Sequence, residues 1–232
     1  ILATIGLGQD GGDAPVFRRQ DGSVSRVNRP AQIDQDERIP LEAPLLAQVS
    51  RWDRLKDPIG LVRCFEHHLA DTELHLLLAG PATAAVADDP EGARIWAQVR
   101  ATWRELPDEI RRRVHLVSLP MADLEENGAM VNALQHRAQV VVQKSLAEGF
   151  GLTVAEAMWK RRAVVGSRVG GIQDQIVDGE SGLLVAPEDL EAVAAAIRSL
   201  TEDPALARQL GRAARERVRQ RFLAPIRLTE YL

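Results

Sequence analysis

The feature that most constrains this chain is an alternation. Short runs that are apolar almost throughout, "PLLAQVS" (44–50), "LHLLLAG" (74–80), "VHLVSL" (114–119), "QVVVQKS" (139–145), "AVVGS" (163–167) and "GLLV" (182–185), are separated by stretches of helical spacing. Those stretches cover 58–70, 91–105, 123–136, 152–160 and 189–200, and a last one spans 204–221. Strands buried on both faces read as continuous apolar runs, and helices between them supply the crossovers of a parallel sheet. Right-handed crossovers then predict an α/β fold: a doubly wound parallel sheet, Rossmann-like, over 44–232. Ligands of such sheets bind beyond the carboxyl ends of the strands, so the loops after Val49, Leu78, Val142 and Val165 are the places to search.

Residues 1–43 read differently. "ILATIG" has the character of a helix end whose start lies upstream, so the chain reads as part of a longer protein. Within "VFRRQDGSVSRV", Asp21-Gly22 sits between two short strand-like runs and predicts a hairpin insert over 15–27. "NRPAQIDQDERIPLEAP" then reads as an extended connector.

Composition narrows the function classes. A length of 232 residues allows one large or two small domains. The net charge of −4 argues against a nucleic-acid partner. No apolar run approaches the ~20 residues that span a bilayer, so no membrane association is expected. Cys64 is the single cysteine, which excludes an intrachain disulfide and fits a reducing, cytoplasmic setting.

The richest stretch is "QKSLAEGFGLTVAEAMWK", residues 143–160. Gly149 and Gly151 permit close backbone approach before a helix whose first amides lie near Gly151, Leu152 and Thr153. Free amides and the macrodipole together make an anion site, and phosphate is its natural guest. A second reading stands beside it: Thr153-Val154-Ala155-Glu156 has the form of a capping box. Glu148 and Glu156 flank this helix end. Carboxylates repel phosphate but accept hydrogen bonds from hydroxyls, so a ligand with central phosphates and hydroxylated rings on both sides fits, as in a nucleotide sugar. In "SRWDRLKD" (50–57), Arg51 and Lys56 follow the first core strand and can reach a diphosphate. The alternative is a solvated basic loop paired with Asp53 and Asp57. Gly170-Gly171 reads equally as a ligand contact or a turn, and Asp178–Gly182 as a turn.

Other motifs are absent. The histidines lack metal-ligand spacing and no Cys–His cluster exists, so no metal is expected. There is no G-x-S-x-G elbow, Walker A sequence or G-x-G-x-x-G after the first strand. In "RQLGRAARERVRQR" (208–221) apolar residues recur at helical spacing, which makes the arginines a solvated face.

Glu148 and Glu156 together form the E-x7-E pattern, and the chain resembles the retaining GT-B glycosyltransferases. "EGFGL…EAM", "VSRWDRLKD" and "GGIQDQIVDGESGLLV" carry the resemblance, which extends over roughly 44–220. More narrowly, "VVVQKSLAEGFGLTVAEAMWK" is similar to the trehalose-forming members.

The resemblance implies the C-terminal, donor-binding domain of such an enzyme, with the acceptor-binding N-terminal domain absent from this chain. It implies nucleoside diphosphate glucose (ADP-, UDP- or GDP-glucose) as donor, glucose or another sugar as acceptor, no cofactor, and an isolated chain without activity. Other products, such as sucrose, a glycolipid or a glycan, stay open, as does a non-catalytic nucleotide-sugar-binding module. A homodimer is compatible with the sequence. By position, Arg51 and Lys56 would bind the diphosphate, Glu148 the donor glucose hydroxyls and Glu156 the ribose. Backbone amides around Gly151, Leu152 and Thr153 would meet the distal phosphate, and Gly149 and Phe150 belong to the same donor-binding loop. Gln143, Lys144 and Ser145 would line the nucleobase. Arg161-Arg162 departs from the family pattern, which has a glycine turn there.

Overall fold

The structure is a computed structural model that describes residues 1–8, 14–83 and 90–222. Seven strands form one sheet in the order β3-β6-β5-β4-β7-β8-β9. They are β3 (Gln32–Asp34), β4 (Leu45–Val49), β5 (His75–Pro81), β6 (Val114–Leu119), β7 (Val140–Gln143), β8 (Ala163–Ser167) and β9 (Leu183–Val185). All neighbours are parallel except β3, which pairs antiparallel with β6 at one edge. The chain therefore starts its parallel sheet at the centre, winds outward through β5 and β6, and returns to lay β7 beside β4. That reversal opens a crevice at the carboxyl ends of β4 and β7, where a doubly wound sheet holds its ligand.

The helices are α1 (Pro58–His68), α2 (Pro90–Glu105), α3 (Asp108–Arg111), α4 (Leu124–Arg137), α5 (Leu152–Trp159), α6 (Gly170–Gln175), α7 (Leu190–Glu202) and α8 (Pro204–Arg221). Strand side chains alternate between two apolar layers. Leu46, Leu76, Leu78, Val140 and Val142 pack with Phe65 of α1, Val99 of α2 and Ile197 of α7. Leu45, Ala47, Leu77 and Val141 pack with Met130 of α4, Val154 of α5 and Val218 of α8. Each fully buried Leu, Val or Phe contributes ~1.5–3 kcal/mol, which explains why the apolar runs dictate the sheet. In α8 the buried residues are Ala207, Leu210, Gly211, Ala214 and Val218; Arg208, Arg212, Arg219 and Arg221 are exposed as expected, whereas Arg215 stacks on Trp159 and Arg217 donates to the carbonyls of Asp174 and Gln175.

Three elements depart from expectation, the short α3 (Asp108–Arg111) among them. Gln32–Asp34, in the expected connector, is strand β3. Its Asp34 is held by a two-pronged hydrogen bond from Arg100, both at 2.8 Å, which fixes the edge strand against α2. Gly170–Gln175 is helix α6 rather than an isolated turn. The hairpin forms as expected, with β1 (Val16–Arg18) antiparallel to β2 (Val24–Arg26). Residues 2–7 close with the hydrogen bonds of a helix end: Leu7 N–H to Leu2 C=O at 2.9 Å and Gly6 N–H to Ala3 C=O at 3.0 Å, with Gly6 at φ +95°.

The core also holds a polar pair, away from the crevice. His75, the first residue of β5, stacks on His115 of β6, with Nδ1 of one 2.9 Å from Nε2 of the other. Burial pushes His75 down to about 4 and His115 to about 3, so both rings are neutral at pH 7.

Candidate donor-binding site

The crevice is built by three loops. The first leaves β4. Trp52 is buried there, its indole donates to Pro81 C=O at 2.9 Å, and its ring tilts against Trp96 at 4.5 Å. A Cβ on Gly80 would lie 2.6 Å from that indole, so Gly80 is required for the packing. With Trp52 as anchor, the loop makes one turn of 3-10 helix at Arg54–Lys56, capped by Asp53. Lys56 then points across to the second loop and forms an ion pair with Glu148; both side chains are largely buried. Arg51 stands at the surface, 3.1 Å from Asp53.

The second loop joins β7 to α5. Gly151 is the residue before the helix, at φ +85°, and no side chain caps the helix. The capping box does not form. The Thr153 hydroxyl donates to Gln143 Oε1 at 2.9 Å, and Glu156 is exposed toward the crevice. Among the described residues no acceptor lies opposite the amides of Leu152 and Thr153. The helix end is open, with no acid in its first turn.

The third loop, β8 to α6, holds the second in place. Gly171 N–H donates to Gly149 C=O at 2.9 Å, and Gln175 Nε2 donates to the carbonyls of Phe150 and Gly151. A Cβ on Gly170 would sit 1.8 Å from Glu148 O, and one on Gly171 2.4 Å from Gly149 O. The paired glycines let α6 press directly on the backbone of the glycine loop.

Beneath these loops runs a polar layer that the sequence reading assigned differently. Gln143, Lys144 and Ser145 are 1%, 2% and 0% exposed, and none lines the cleft described next. Gln143 donates to Ser145 at 3.1 Å, and Lys144 is ion-paired with Asp57. Asp57 adopts φ 46° and also caps α1 by accepting from Gly60 N–H. Gln48 ties the two sides together, donating to Lys56 C=O at 2.8 Å and accepting from Lys144 N–H at 2.9 Å. These three residues brace the loops from below. Phe150 is exposed and meets Phe222 edge-on at 5.9 Å.

A cleft of about 450 Å³ opens beside the end of α5. Arg51, Thr153 and Glu156 line one side, and Met121, Asn127 and Asn132 the other. Lys160, one turn after Glu156, also faces it and donates to Gln135 Oε1 at 2.7 Å. Burial holds the Lys160 ammonium below its ordinary value, with Glu156 acting in the opposite sense. Asn127, Asn132 and Lys160 had no sequence signal, because α4 is brought to the cleft only by the winding of the sheet. The start of α4 is closed: Asp123 accepts from the amides of Glu125 and Glu126, each at 3.1 Å. The hairpin clasps this end. Arg19 pairs with Asp123 and Glu125, and buried Glu126 accepts from Asn28 N–H at 2.7 Å and Arg29 N–H at 2.9 Å. Hydrogen bonds from Arg19 and the α4 amides pull Asp123 down to about 2. Among the described residues, no group of three or more His, Cys, Asp or Glu side chains could hold a metal ion, and no helix is long and apolar enough to cross a membrane.

Comparison with known proteins fits this geometry. The profile of the family described as "Glycosyl transferases group 1" matches residues 31–217. The chain belongs to the group 1 glycosyltransferases. Within that family it is 42% identical over 189 residues to trehalose synthase of Rubrobacter xylanophilus, covering 81% of this chain and 42% of that protein. It is 38% identical over 194 residues to trehalose synthase of Pyrococcus horikoshii, covering 82% and 43%. This group 1 glycosyltransferase chain thus spans less than half the length of these relatives. Among solved structures, sucrose-phosphate synthase from Thermosynechococcus elongatus superposes with a TM-score of 0.66 at 34% identity, covering 83% of this chain and 45% of that one. The sheet described above is the Rossmann-like domain of the GT-B fold.

Proposed function

We propose that this chain is the donor-binding domain of a retaining glycosyltransferase that moves glucose from a nucleoside diphosphate glucose to glucose, forming trehalose. The observation that carries the reading is the open end of α5 at Gly151, with a Lys56–Glu148 pair on one side and a cleft lined by Glu156 on the other. The diphosphate sits on the free amides of Leu152 and Thr153, with Lys56 and Arg51 as cations. Glu148 accepts from the glucose hydroxyls and Glu156 from the ribose. The nucleobase continues into the cleft toward Asn127 and Asn132. Identity of about two residues in five to two trehalose synthases supports glucose as acceptor. The acceptor binds a second domain outside this chain.

Bond breaking places charge on the departing diphosphate, and the preset amides and cations stabilise it where it develops. In a front-face displacement the leaving phosphate oxygen takes the acceptor hydroxyl proton, so the new bond keeps the donor's anomeric configuration. Each charge-assisted contact is worth ~1.5–3 kcal/mol, and two of them supply neutralisation from the protein's own residues. The test is product analysis with the full-length protein and the chain separately. The reading expects α,α-trehalose from the full-length protein with an α-linked donor, and none from this chain. A different disaccharide, or an inverted linkage, would overturn it.

A further inference from the structure

A second pocket lies at the opposite end of the sheet from the crevice, at the amino ends of β7 and β8. Its volume is about 190 Å³, and Arg161, Arg162 and Arg208 line it together with Gln139, Pro204 and Ala207. No carboxylate lines it, in a chain whose net charge is −4. None of the three arginines forms an ion pair among the described residues. Arg162 donates only to the carbonyls of Ala138, at 3.2 Å, and Lys160, at 3.4 Å. It is half-buried, and burial alone pulls its pKa down, with no acid nearby to offset it. The nearest acid in sequence, Asp203, is turned away to accept from the amides of Ala205 and Leu206.

The backbone that presents these arginines is fixed and unusual. Arg161 occupies the left-handed region at φ 58°, which disfavours a side chain. Here the sequence replaces the expected glycine. Its carbonyl is pinned by α8, where a Cβ on Gly211 would lie 2.2 Å away. A position that glycine would fill without strain instead carries a cation, beside two more cations and no counter-charge.

We infer that this pocket binds a small phosphoryl-bearing anion, either free phosphate or a phosphorylated sugar. Guanidinium groups match phosphate oxygens two at a time, and Pro204 and Ala207 offer an apolar wall for a carbon skeleton. This site is separate from the donor site and stands independently of the function proposed above.

The experiment is calorimetric titration of the full chain with inorganic phosphate and with a hexose phosphate at constant ionic strength. It is run on a Lys56→Met background, which weakens anion binding at the proposed donor site. One saturable site is expected, weakened at least tenfold by Arg208→Gln and by Arg162→Gln. Arg208 is exposed, so its variant tests the site even where Arg162→Gln fails to fold. Arg161→Gly is expected to raise Tm without ligand while weakening phosphate binding, a pair of effects that a purely structural arginine would not give. Tighter binding of the hexose phosphate supports the phosphorylated sugar, and equal binding supports free phosphate. Unchanged affinity in Arg208→Gln and Arg162→Gln, or loss of all binding on the Lys56→Met background alone, overturns the inference.

Discussion

Two helices begin beside the same cleft and begin in opposite ways. At α4 the end is closed by side chains: Asp123 accepts from two amides, Glu125 and Glu126 complement the positive end of the dipole, and Arg19 and Arg29 answer those acids. At α5 the preceding residue is a glycine with no side chain to cap, and the one nearby hydroxyl, Thr153, is bonded elsewhere. Both sequences contain residues that cap well. The difference is that around α5 three loops are braced against each other to keep the end exposed. A closed helix end serves the fold. An open one, with cations and acids set around it at fixed positions, is what the proposed donor diphosphate requires.

The comparison can be broken by closing the open end. The largest effect is expected from Gly171→Ala, whose methyl would press on Gly149 O and Phe150 Cα. With contacts this short the strain lies at the upper end of the ~1–3 kcal/mol range and moves the glycine loop, so donor affinity should fall about 100-fold. Isothermal titration with circular dichroism as a folding control checks it. Next comes Lys56→Ala, which removes the proposed diphosphate contact and leaves Glu148 unpaired in a largely buried setting. A loss of ~1.5–3 kcal/mol translates into a roughly 10- to 100-fold fall in kcat/KM for the proposed transfer, measured with the full-length protein.

The closed end should respond in stability instead. Glu126→Gln loses charge from a buried acceptor of two backbone amides and Arg29. A loss of ~1–3 kcal/mol in urea unfolding is expected, with donor affinity changed less than about threefold. A donor effect as large as that of Lys56→Ala would erase the distinction between the two helix ends.

The smallest effect at neutral pH belongs to the His75–His115 pair. Free imidazoles take up protons near 6.5, while these hold off until about 4 and 3. Between those values the unfolded chain binds more protons, so stability is complete above about pH 6.5 and falls as pH drops toward 3. Replacing both with Leu should flatten the melting curve across that range and leave donor binding at pH 7.5 unchanged.

Much of this was legible in the residues, for a physical reason. Wholly apolar runs have one stable destination, a sheet covered on both faces, and all six expected strands occur. The polar run Gln32–Asp34 gave no such signal, because an antiparallel edge strand is held by Arg100 from a distant helix. Gly170-Gly171 concealed α6, since a helix that starts on glycines looks like a turn until the backbone it packs against is known. Thr153 and Glu156 spelled a capping box, yet Gln143 draws the hydroxyl away. Gln143, Lys144 and Ser145 sit at a strand end, as a base-binding segment would, but are buried by Asp57 and Gln48 from another loop. Local pattern fixed the elements. Contacts between loops decided which side chains reach the cleft.

The central claim is that the open end of α5 holds the donor diphosphate between Lys56 and Glu156. The most direct measurement is calorimetric titration of the chain with ADP-, UDP- and GDP-glucose, beside Lys56→Ala and Glu156→Ala. The account predicts one site that prefers a single base and weakens at least tenfold in each variant. Equal affinity in the wild-type and both variants would contradict it, as would the absence of binding by the full-length protein.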